Sequence, residues 1–188
     1  MNRDEKGDVM PDVKATVKQL VEEVGFDCSG ICTTEGFRTR PEVRDMCAAN
    51  LCQHYDKSWS CPPACGEIED YEQRMRQFEN CMVVQTVGQM EDSFDFETVQ
   101  EAAETQDKRF RSLVQGLHEQ DLEFMPLGAG TCMLCKECSY PDNPCRFPDK
   151  MVVSMEAAGL MVNEICTKAD IPYNHGENTI SFTGCILY

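Results

Sequence analysis

The sequence predicts a small layered α+β (or α/β) domain, with a central sheet of about four strands, flanking helices and two cysteine-rich loops at one end. Segments of helical and strand periodicity alternate along the chain, which is typical of a layered domain. Most of the 13 cysteines fall in two short groups between such segments. The 188 residues are enough to bury one core. We therefore predict a flexible arm over residues 1–10 and a single cysteine-rich domain over residues 11–188.

The first half of the chain alternates between helix and strand. The elements predicted there are, in order, a helix between Asp12 and Gly25, a strand over residues 26–34, a helix from Pro41 to about residue 51, a helix over residues 67–80 and a strand over residues 81–87. Asp12 is a preferred N-cap residue, and Gly25 readily adopts the left-handed conformation that ends helices. Pro41 suits a first helical turn, because the N–H that it lacks has no partner there.

The second half continues the alternation and ends on a strand. The elements predicted there are, in order, a long helix over residues 94–118, a strand over residues 121–127, a short helix over residues 154–159, a helix over residues 161–169 and a strand over residues 179–188. Ser154 is a suitable N-cap for the short helix and Gly159 is a suitable end. Gly128 and Gly130 form a hinge where the third strand leads into a cysteine-rich loop, which permits close approach of the backbone to a bulky centre.

That loop, the second cysteine group, has the sequence CMLCKECSYPDNPCRFP over residues 132–148. Cys132, Cys135 and Cys138 follow the pattern C-x2-C-x2-C, with which bacterial ferredoxins hold three corners of a [4Fe–4S] cluster. Cys145 follows later than the fourth ferredoxin cysteine and stands after Pro144 rather than before a proline. The triplet indicates a metal centre, whereas the long last gap leaves the fourth ligand open. Cys145 can complete this centre or cross to a second one, as in two-cluster ferredoxins.

The first cysteine group comprises Cys47, Cys52, Cys61 and Cys65, which lie within one short segment. Its spacing is looser than that of the second group. The turn SCPPACG is typical of a loop that cradles a cluster, because prolines restrict the backbone and leave other amides free to point at sulfur. His54 is close enough in sequence to compete as a ligand, but a lone histidine beside such cysteines more often supports the ligands, so it ranks below the four thiols.

The remaining cysteines fall on predicted helices and strands. Cys28 and Cys32 lie four residues apart on one strand, on the same face but too far apart to hold one metal easily. Cys81 lies on a buried strand and is most simply a small hydrophobic residue. Cys166 and Cys185 lie on the predicted helix over residues 161–169 and the terminal strand.

Composition and charge exclude several classes of function. The formal net charge of −16 disfavours nucleic acid as a partner, because phosphate contacts need clustered Lys and Arg. We see no signal peptide and no apolar stretch of about 20 residues, and therefore expect a cytoplasmic protein without a membrane contact. In a reducing compartment, an odd number of clustered cysteines favours metal or redox chemistry over disulfides.

Three segments resemble a cysteine-rich family described as predicted metal-binding proteins (domain of unknown function 2284). They are MCAANLCQHYDKSWSCPPACG, GTCMLCKECSYPDNPCRFPDKMVVSMEAAGLMV and the closing TISFTGCILY. The resemblance runs from about residue 25 to the end of the chain. It implies metal ligands at Cys47, Cys52, Cys61, Cys132, Cys135, Cys138 and Cys145. Cys65 lies outside the matched ligand pattern and is an additional candidate. The resemblance implies metal binding but no established reaction.

The cysteine pattern favours iron–sulfur clusters over zinc, because structural zinc sites usually show two separated C-x2-C-like pairs. We expect one or two [4Fe–4S] clusters that carry electrons to a redox partner protein, since the chain shows no phosphate loop and no nucleophile motif. Two alternatives stay open: a small cluster-dependent reductase or sulfur-handling enzyme, and a zinc-stabilised interaction module. The short VGFDCSGIC segment also resembles the opening of iron–sulfur reductases that act on modified nucleosides.

Overall fold

The computed structural model describes residues 12–188, which form a five-stranded sheet with helices on both faces. The strands are β1 (Cys28–Thr33), β2 (Asn80–Gln89), β3 (Met125–Gly128), β4 (Val153–Ser154) and β5 (Thr179–Leu187). The helices are α1 (Val13–Val24), α2 (Pro41–Ala48), α3 (Ile68–Met75), α4 (Phe96–Glu119) and α5 (Val162–Lys168), with one 3-10 turn at Pro148–Lys150. The predicted α+β class is confirmed. The arm predicted for residues 1–10 lies outside the described residues.

The sheet has the strand order β1-β2-β5-β3-β4. Its neighbouring strands are antiparallel except for β3 and β4, which run parallel. The longest pairing joins β2 to β5, with Cys81 opposite Leu187 and Gln89 opposite Thr179. The last strand of the chain therefore lies at the centre of the sheet and connects its two halves.

Alternating residues of the central strands are buried against two different helical layers. Met82 and Val84 of β2 and Ile186 of β5 pack in one apolar cluster with α1 and α4. Their neighbours Cys81 and Val83 pack in a second cluster with α3, α5 and the turn after β4. This alternation is the expected result of the strand period of two. In residues 12–188, no helix combines the length and apolarity that a membrane crossing needs.

Both predicted ends of the first helix are confirmed. The Asp12 side chain accepts a hydrogen bond from the Ala15 amide at 3.2 Å, and Gly25 has a left-handed φ of 78°. The helix that begins at Pro41 ends at Ala48, before the predicted residue 51. The residues from Ala49 onwards are therefore not helical and form a loop.

The helix predicted over residues 154–159 is wrong. Val153 and Ser154 instead form β4, a fifth strand, and the following residues form a turn. Ser154 still behaves as a cap, because its hydroxyl accepts a hydrogen bond from the Ala157 amide at 3.1 Å. The Met155 amide donates to the Gly128 carbonyl at 3.0 Å, which holds the turn beside the end of β3. Pairing with β3 is a long-range interaction, and the local sequence pattern around Ser154 therefore could not predict it.

Candidate metal centre

The two cysteine groups meet at one end of the molecule. The Trp59 Nε1 donates a hydrogen bond to the Asn143 carbonyl at 3.0 Å, and the edge of its ring contacts Tyr140, with ring centroids 4.9 Å apart. The Cys132 amide donates to the Ser60 hydroxyl at 3.0 Å. These contacts join segments more than 70 residues apart in sequence, and the cysteine-rich loops therefore form one substructure.

Two further contacts join the two cysteine-rich loops, and we call this contact region the junction. The Cys61 thiol donates a hydrogen bond to the Thr131 hydroxyl at 3.4 Å, directly before the second cysteine group. The Tyr140 hydroxyl donates to Asp56 at 2.5 Å, and this carboxylate raises the pKa of Tyr140. Trp59 is half-buried between the loops and connects them.

Three thiols of the first cysteine group line one cavity of about 510 Å³. Cys47 is contributed by the last turn of α2, Cys52 by the loop after it, and Cys61 by the SCPPACG turn. Much of the remaining wall is apolar and includes Val43, Met46, Leu51, Val162 and Phe182. The three thiols therefore surround a chamber that is large enough for a small ligand or an inorganic cluster.

Cys65 and His54 differ from these three thiols in position. Cys65 is not part of the cavity wall; it is buried in the apolar cluster beneath the sheet, and burial raises the pKa of its thiol to about 11. Its carbonyl accepts a hydrogen bond from the Tyr71 hydroxyl at 2.5 Å. His54 does line the cavity, but it is exposed. The cavity wall thus contains Cys47, Cys52 and Cys61, whereas Cys65 lies outside it, near enough to Cys61 and Cys47 for them to add to the effect of burial on its pKa.

Arg44 ties the parts of this cavity to one another. It lies on α2 one turn before Cys47, and its Nε donates to the Ala157 carbonyl at 2.5 Å. Its Nη2 donates to the Gly66 carbonyl at 2.8 Å. One guanidinium group therefore fixes α2, the end of the SCPPACG turn and the turn after β4 relative to one another.

The turn after β4 adds a carboxyl group to the same cavity. Glu156 lines the cavity together with Ser154. The residue is partly exposed, yet its Oε2 atom is buried and has no hydrogen-bond partner among residues 12–188. Burial raises the pKa of the carboxyl group. Nothing in the sequence marked Glu156 as a site residue, because it lies 95 or more positions from the three thiols.

The second cysteine group forms a partly buried surface loop. The Ser139 hydroxyl donates to the Pro144 carbonyl at 2.8 Å, and Arg146 donates to the Glu137 carbonyl at 2.9 Å. Together these two bonds fold the loop onto itself. Cys132, Cys135, Cys138 and Cys145 are all partly exposed. The loop therefore presents its thiols near solvent and not inside a closed chamber.

Cys138 has surroundings that favour its thiolate. Burial raises its pKa, but hydrogen bonds from the backbone of Tyr140, Trp59 and Ser139 and from the Ser58 side chain outweigh burial, and the net shift is downward. The thiolate is the form that binds metals. One of these donors, Trp59, belongs to the loop of the first cysteine group, which makes the junction between the loops part of the site.

Cys132 and Cys145 lie near each other within the second group. Burial is the largest cause of the raised pKa of Cys132, and the neighbouring Cys145 contributes to it. Cys145 is not part of the wall of the first cavity. Cys145 is therefore a candidate ligand for the centre of its own loop.

The eight candidate thiols remain predicted ligands. All 13 cysteines are free, and within residues 12–188 no three His, Cys, Asp or Glu side chains converge closely enough to hold a single metal ion. The donor chemistry nevertheless fits an iron–sulfur cluster, whose iron atoms are held by separate cysteine thiolates. Three thiols on the wall of the cavity and four thiols in the second cysteine group supply such donors.

The remaining thiols belong to the sheet and its lower layer. Cys32 and Cys81 lie opposite each other on β1 and β2, and Cys81, Cys166 and Cys185 are fully buried. Burial, with hydrogen bonding to Cys185 and Cys32, raises the pKa of Cys81 well above its ordinary value. Gln85 donates a hydrogen bond to the Cys166 sulfur at 3.5 Å. These surroundings agree with the prediction that Cys81 acts as a small hydrophobic residue.

Comparisons with known proteins give one family and one distant structure. The model of a family described as "Predicted metal-binding protein (DUF2284)" matches residues 30–188. No curated protein matches the sequence. A solved structure, epoxyqueuosine reductase from Bacillus subtilis, is 10% identical with a TM-score of 0.43. The match covers 92% of this chain and 44% of that protein, and at this TM-score the likeness carries no argument.

Proposed function

This chain belongs to the family described as "Predicted metal-binding protein (DUF2284)", and we propose that the metal is iron, held in two clusters of the [4Fe–4S] type. The observation that carries the proposal is the position of Cys47, Cys52 and Cys61 around one chamber of about 510 Å³. Thiolates that hold a cubane cluster each bind a different iron atom, and they therefore surround a space and do not converge on one point.

The second centre is supported by sequence spacing and by local electrostatics. Cys132, Cys135 and Cys138 have the ferredoxin-like spacing, with Cys145 near Cys132 as the fourth thiol. Hydrogen bonds to sulfur and solvent exposure are among the factors that set the reduction potential of a cluster. The amide groups that lower the pKa of Cys138 supply such hydrogen bonds.

The role that fits this arrangement best is electron transfer to a partner protein. The second cysteine group lies at the surface, where Cys135 shares an open pocket with Lys136, Glu137 and Arg146. When bound, the clusters supply one-electron chemistry. The protein contributes thiolate ligands, backbone hydrogen bonds and, through Trp59 and Tyr140, a packed junction that keeps the two loops together.

A cluster-dependent enzyme is the second candidate, and one observation favours it. Only three thiols line the first cavity, while Cys65 and Cys145 are not part of its wall. A cluster held by three thiolates has an iron atom that is open to another ligand. The apolar wall formed by Leu51, Val162 and Phe182 gives room for a small substrate beside it.

The test is metal analysis and reduction of protein purified anaerobically and reconstituted with iron and sulfide. Two cubane clusters predict about eight iron and eight sulfide per chain, with absorbance that dithionite bleaches and a mild oxidant restores under anaerobic conditions. A colourless protein with stoichiometric zinc would replace this proposal with the zinc-stabilised interaction module. Clusters that resist reversible reduction would rule out electron transfer.

Two variants distinguish the electron carrier from the enzyme. Cys65→Ala is expected to keep both clusters, because Cys65 lies outside the cavity wall. Cys145→Ala is expected to lose the second cluster if Cys145 is its fourth ligand. If both variants keep both clusters and lose only turnover of a substrate, the enzyme is supported and the electron carrier is not.

A further inference from the structure

We infer that the Glu156 carboxylate is the fourth protein ligand of the centre formed by Cys47, Cys52 and Cys61. This inference rests on the proposed function, because it presupposes a cluster in the first cavity. It assigns to that cluster an oxygen ligand from the turn after β4, where the sequence pattern pointed only to thiols.

One oxygen of the Glu156 carboxyl group is an unsatisfied polar atom in the cavity wall. Its Oε2 atom is buried without a hydrogen-bond partner among residues 12–188. Buried polar atoms in folded proteins nearly always have a partner, and leaving one unpaired costs about 1–3 kcal/mol. The same cavity wall contains the thiols of Cys47, Cys52 and Cys61. A metal centre in the cavity satisfies all four groups at once.

The turn that carries Glu156 is held rigidly. The Ala158 amide donates to the Ser154 carbonyl at 2.9 Å, and the Gly159 amide donates to the Glu156 carbonyl at 2.9 Å. The Arg40 amide donates to the Gly159 carbonyl at 2.8 Å, which joins the turn to the start of α2. A ligand needs such a fixed backbone, because a mobile carboxylate loses conformational entropy on binding.

Arg44 links this turn to the thiols. Its guanidinium group binds the carbonyl of Ala157, the residue next to Glu156, and that of Gly66. Arg44 itself lies one turn before Cys47 on α2. The relative positions of Cys47, the SCPPACG turn and Glu156 are thus set by one side chain. Such a contact is expected where three separate segments contribute ligands to one centre.

Other candidates for the fourth position fit less well. Cys65 lies near Cys61 and Cys47 but is buried in the apolar cluster and does not line the cavity, and Cys145 belongs to the other loop and does not line it either. His54 lines the cavity but is exposed, so its ring can be solvated without a metal. A carboxylate oxygen is a harder donor than a thiolate, and the iron atom that it binds is expected to differ from the other three and to dissociate more readily.

The experiment compares the wild-type chain with Glu156→Gln, Glu156→Ala and Glu156→Cys after anaerobic reconstitution. Iron and sulfide are measured per folded chain, together with the Mössbauer spectrum. The wild type is expected to show one distinct iron in its first cluster. Glu156→Gln and Glu156→Ala are expected to lose about one iron per chain with no loss of sulfide, since three thiols can still hold a three-iron form. Glu156→Cys is expected to retain the full iron content with an all-thiolate spectrum.

Glu164→Gln is the matched control. Glu164 lies on α5 close to the same turn, but it forms an exposed ion pair with Arg40 at 2.6 Å and is not part of the cavity wall. This variant is expected to retain the iron content and the spectrum of the wild type. It separates the loss of a ligand from the general effect of removing a negative charge in this region.

The inference is overturned if Glu156→Gln retains all of its iron and the wild-type spectrum. If the Gln and Ala variants do not fold, Glu156→Cys decides alone: a change to an all-thiolate spectrum supports the inference, and an unchanged spectrum overturns it. A wild-type chain without any iron–sulfur cluster would instead refute the proposed function itself, and the two failures are therefore distinguishable.

Discussion

Two thiols, Cys138 in the second cysteine group and Cys81 in the sheet, have the same side chain but opposite surroundings. Cys138 in the second cysteine group receives hydrogen bonds from three backbone groups, and its pKa is lowered. Cys81 in β2 is fully buried, and burial raises its pKa well above the ordinary value. The first environment stabilises a thiolate, whereas the second keeps a neutral thiol that packs like a small hydrophobic residue.

This difference shows that the number of cysteines is a poor guide to the number of ligands. Cys81, Cys166 and Cys185 are buried in the apolar layer beneath the sheet, and Cys32 packs against it, so we expect these thiols to pack and not to bind metal. The loop thiols take their chemistry from free amides, from a nearby chamber and from the contacts between the loops. Variants in each region test whether the loop thiols bind metal and the sheet thiols only pack.

The largest expected effect is the loss of one metal centre. Cys138→Ser removes a thiolate from the C-x2-C-x2-C triplet, and we expect iron per chain to fall by about half, because one of two clusters loses a ligand. Cys81→Ala is the control in the sheet. It is expected to retain full iron and to lower the free energy of unfolding by about 1 kcal/mol through the cavity that it leaves. Equal iron loss in both variants would contradict the division between loop and sheet thiols.

Gly30→Ala is expected to have the largest effect on stability without affecting the metal. An added Cβ in β1 would overlap the Ala169 carbonyl oxygen and would lie 2.9 Å from Ile171 Cγ2. Because the first of these is backbone, the end of α5 must shift, and we expect a loss of about 3 kcal/mol in the free energy of unfolding. Chemical denaturation measures it.

Gly116→Ala in α4 is the matched control for that variant. Its added Cβ would lie 3.0 Å from the end of the flexible Leu20 side chain, and alanine favours a helix over glycine by about 1 kcal/mol. We expect little change or a small gain in stability. If Gly30→Ala reduced iron per folded chain, sheet and loops would not be independent regions.

Arg44→Met tests the connection within the first cysteine group. The variant removes hydrogen bonds from a charged group to the Ala157 and Gly66 carbonyls, and we expect a loss of about 2 kcal/mol in stability. Iron release to a chelator should become faster for the first cluster alone. The second cluster is the internal reference, since its loop has no contact of this kind with Arg44. Equally faster iron release from both clusters would show that Arg44 does not act on the first cysteine group alone.

The smallest expected effect is an acid-dependent change in the free energy of unfolding, which arises from the ion pair between Asp27 and Arg109 of α4. Burial raises the pKa of Asp27, but hydrogen bonds from the Val87 amide at 3.0 Å and from Arg109 at 2.8 Å lower it by more. A lowered pKa in the folded state gives stability that is present above the unfolded value of about 4 and is lost as the pH falls through the folded value.

Asp27→Asn should remove this acid dependence, which amounts to a few tenths of a kcal/mol because the pair is partly exposed. Denaturation curves between about pH 2 and pH 6 measure it. Iron content should respond to pH identically in the variant and the wild type. A difference in iron content would mean that this face of the sheet influences the loops.

Short-range signals in the sequence predicted much of the fold. The cap at Asp12 and the stop at Gly25 are exact in the structure because their hydrogen bonds and dihedral angles involve neighbouring residues. β4 was missed, because two residues carry no periodicity and Val153 and Ser154 become a strand only through pairing with β3. The same limit applies to the helix wrongly predicted after Ser154.

The site was predictable in part for the same reason. The spacing of Cys132, Cys135 and Cys138 is visible within seven residues of sequence. The contact between the loops was not predictable, because it depends on Trp59 and Ser60 reaching residues that are 84 and 72 positions away. Glu156 was missed because its buried oxygen is recognisable only once the cavity has formed.

The hydrogen bond from Arg44 to the Ala157 carbonyl joins two points that are 113 residues apart. Since a chain is synthesised from its N-terminus, Cys47, Cys52 and Cys61 leave the ribosome long before the turn that completes their cavity. β5, which connects β2 to β3 in the sheet, is made later still. Since Ser181, Phe182 and Thr183 of β5 line the cavity, the first cysteine group acquires its full surroundings only after translation has passed β5.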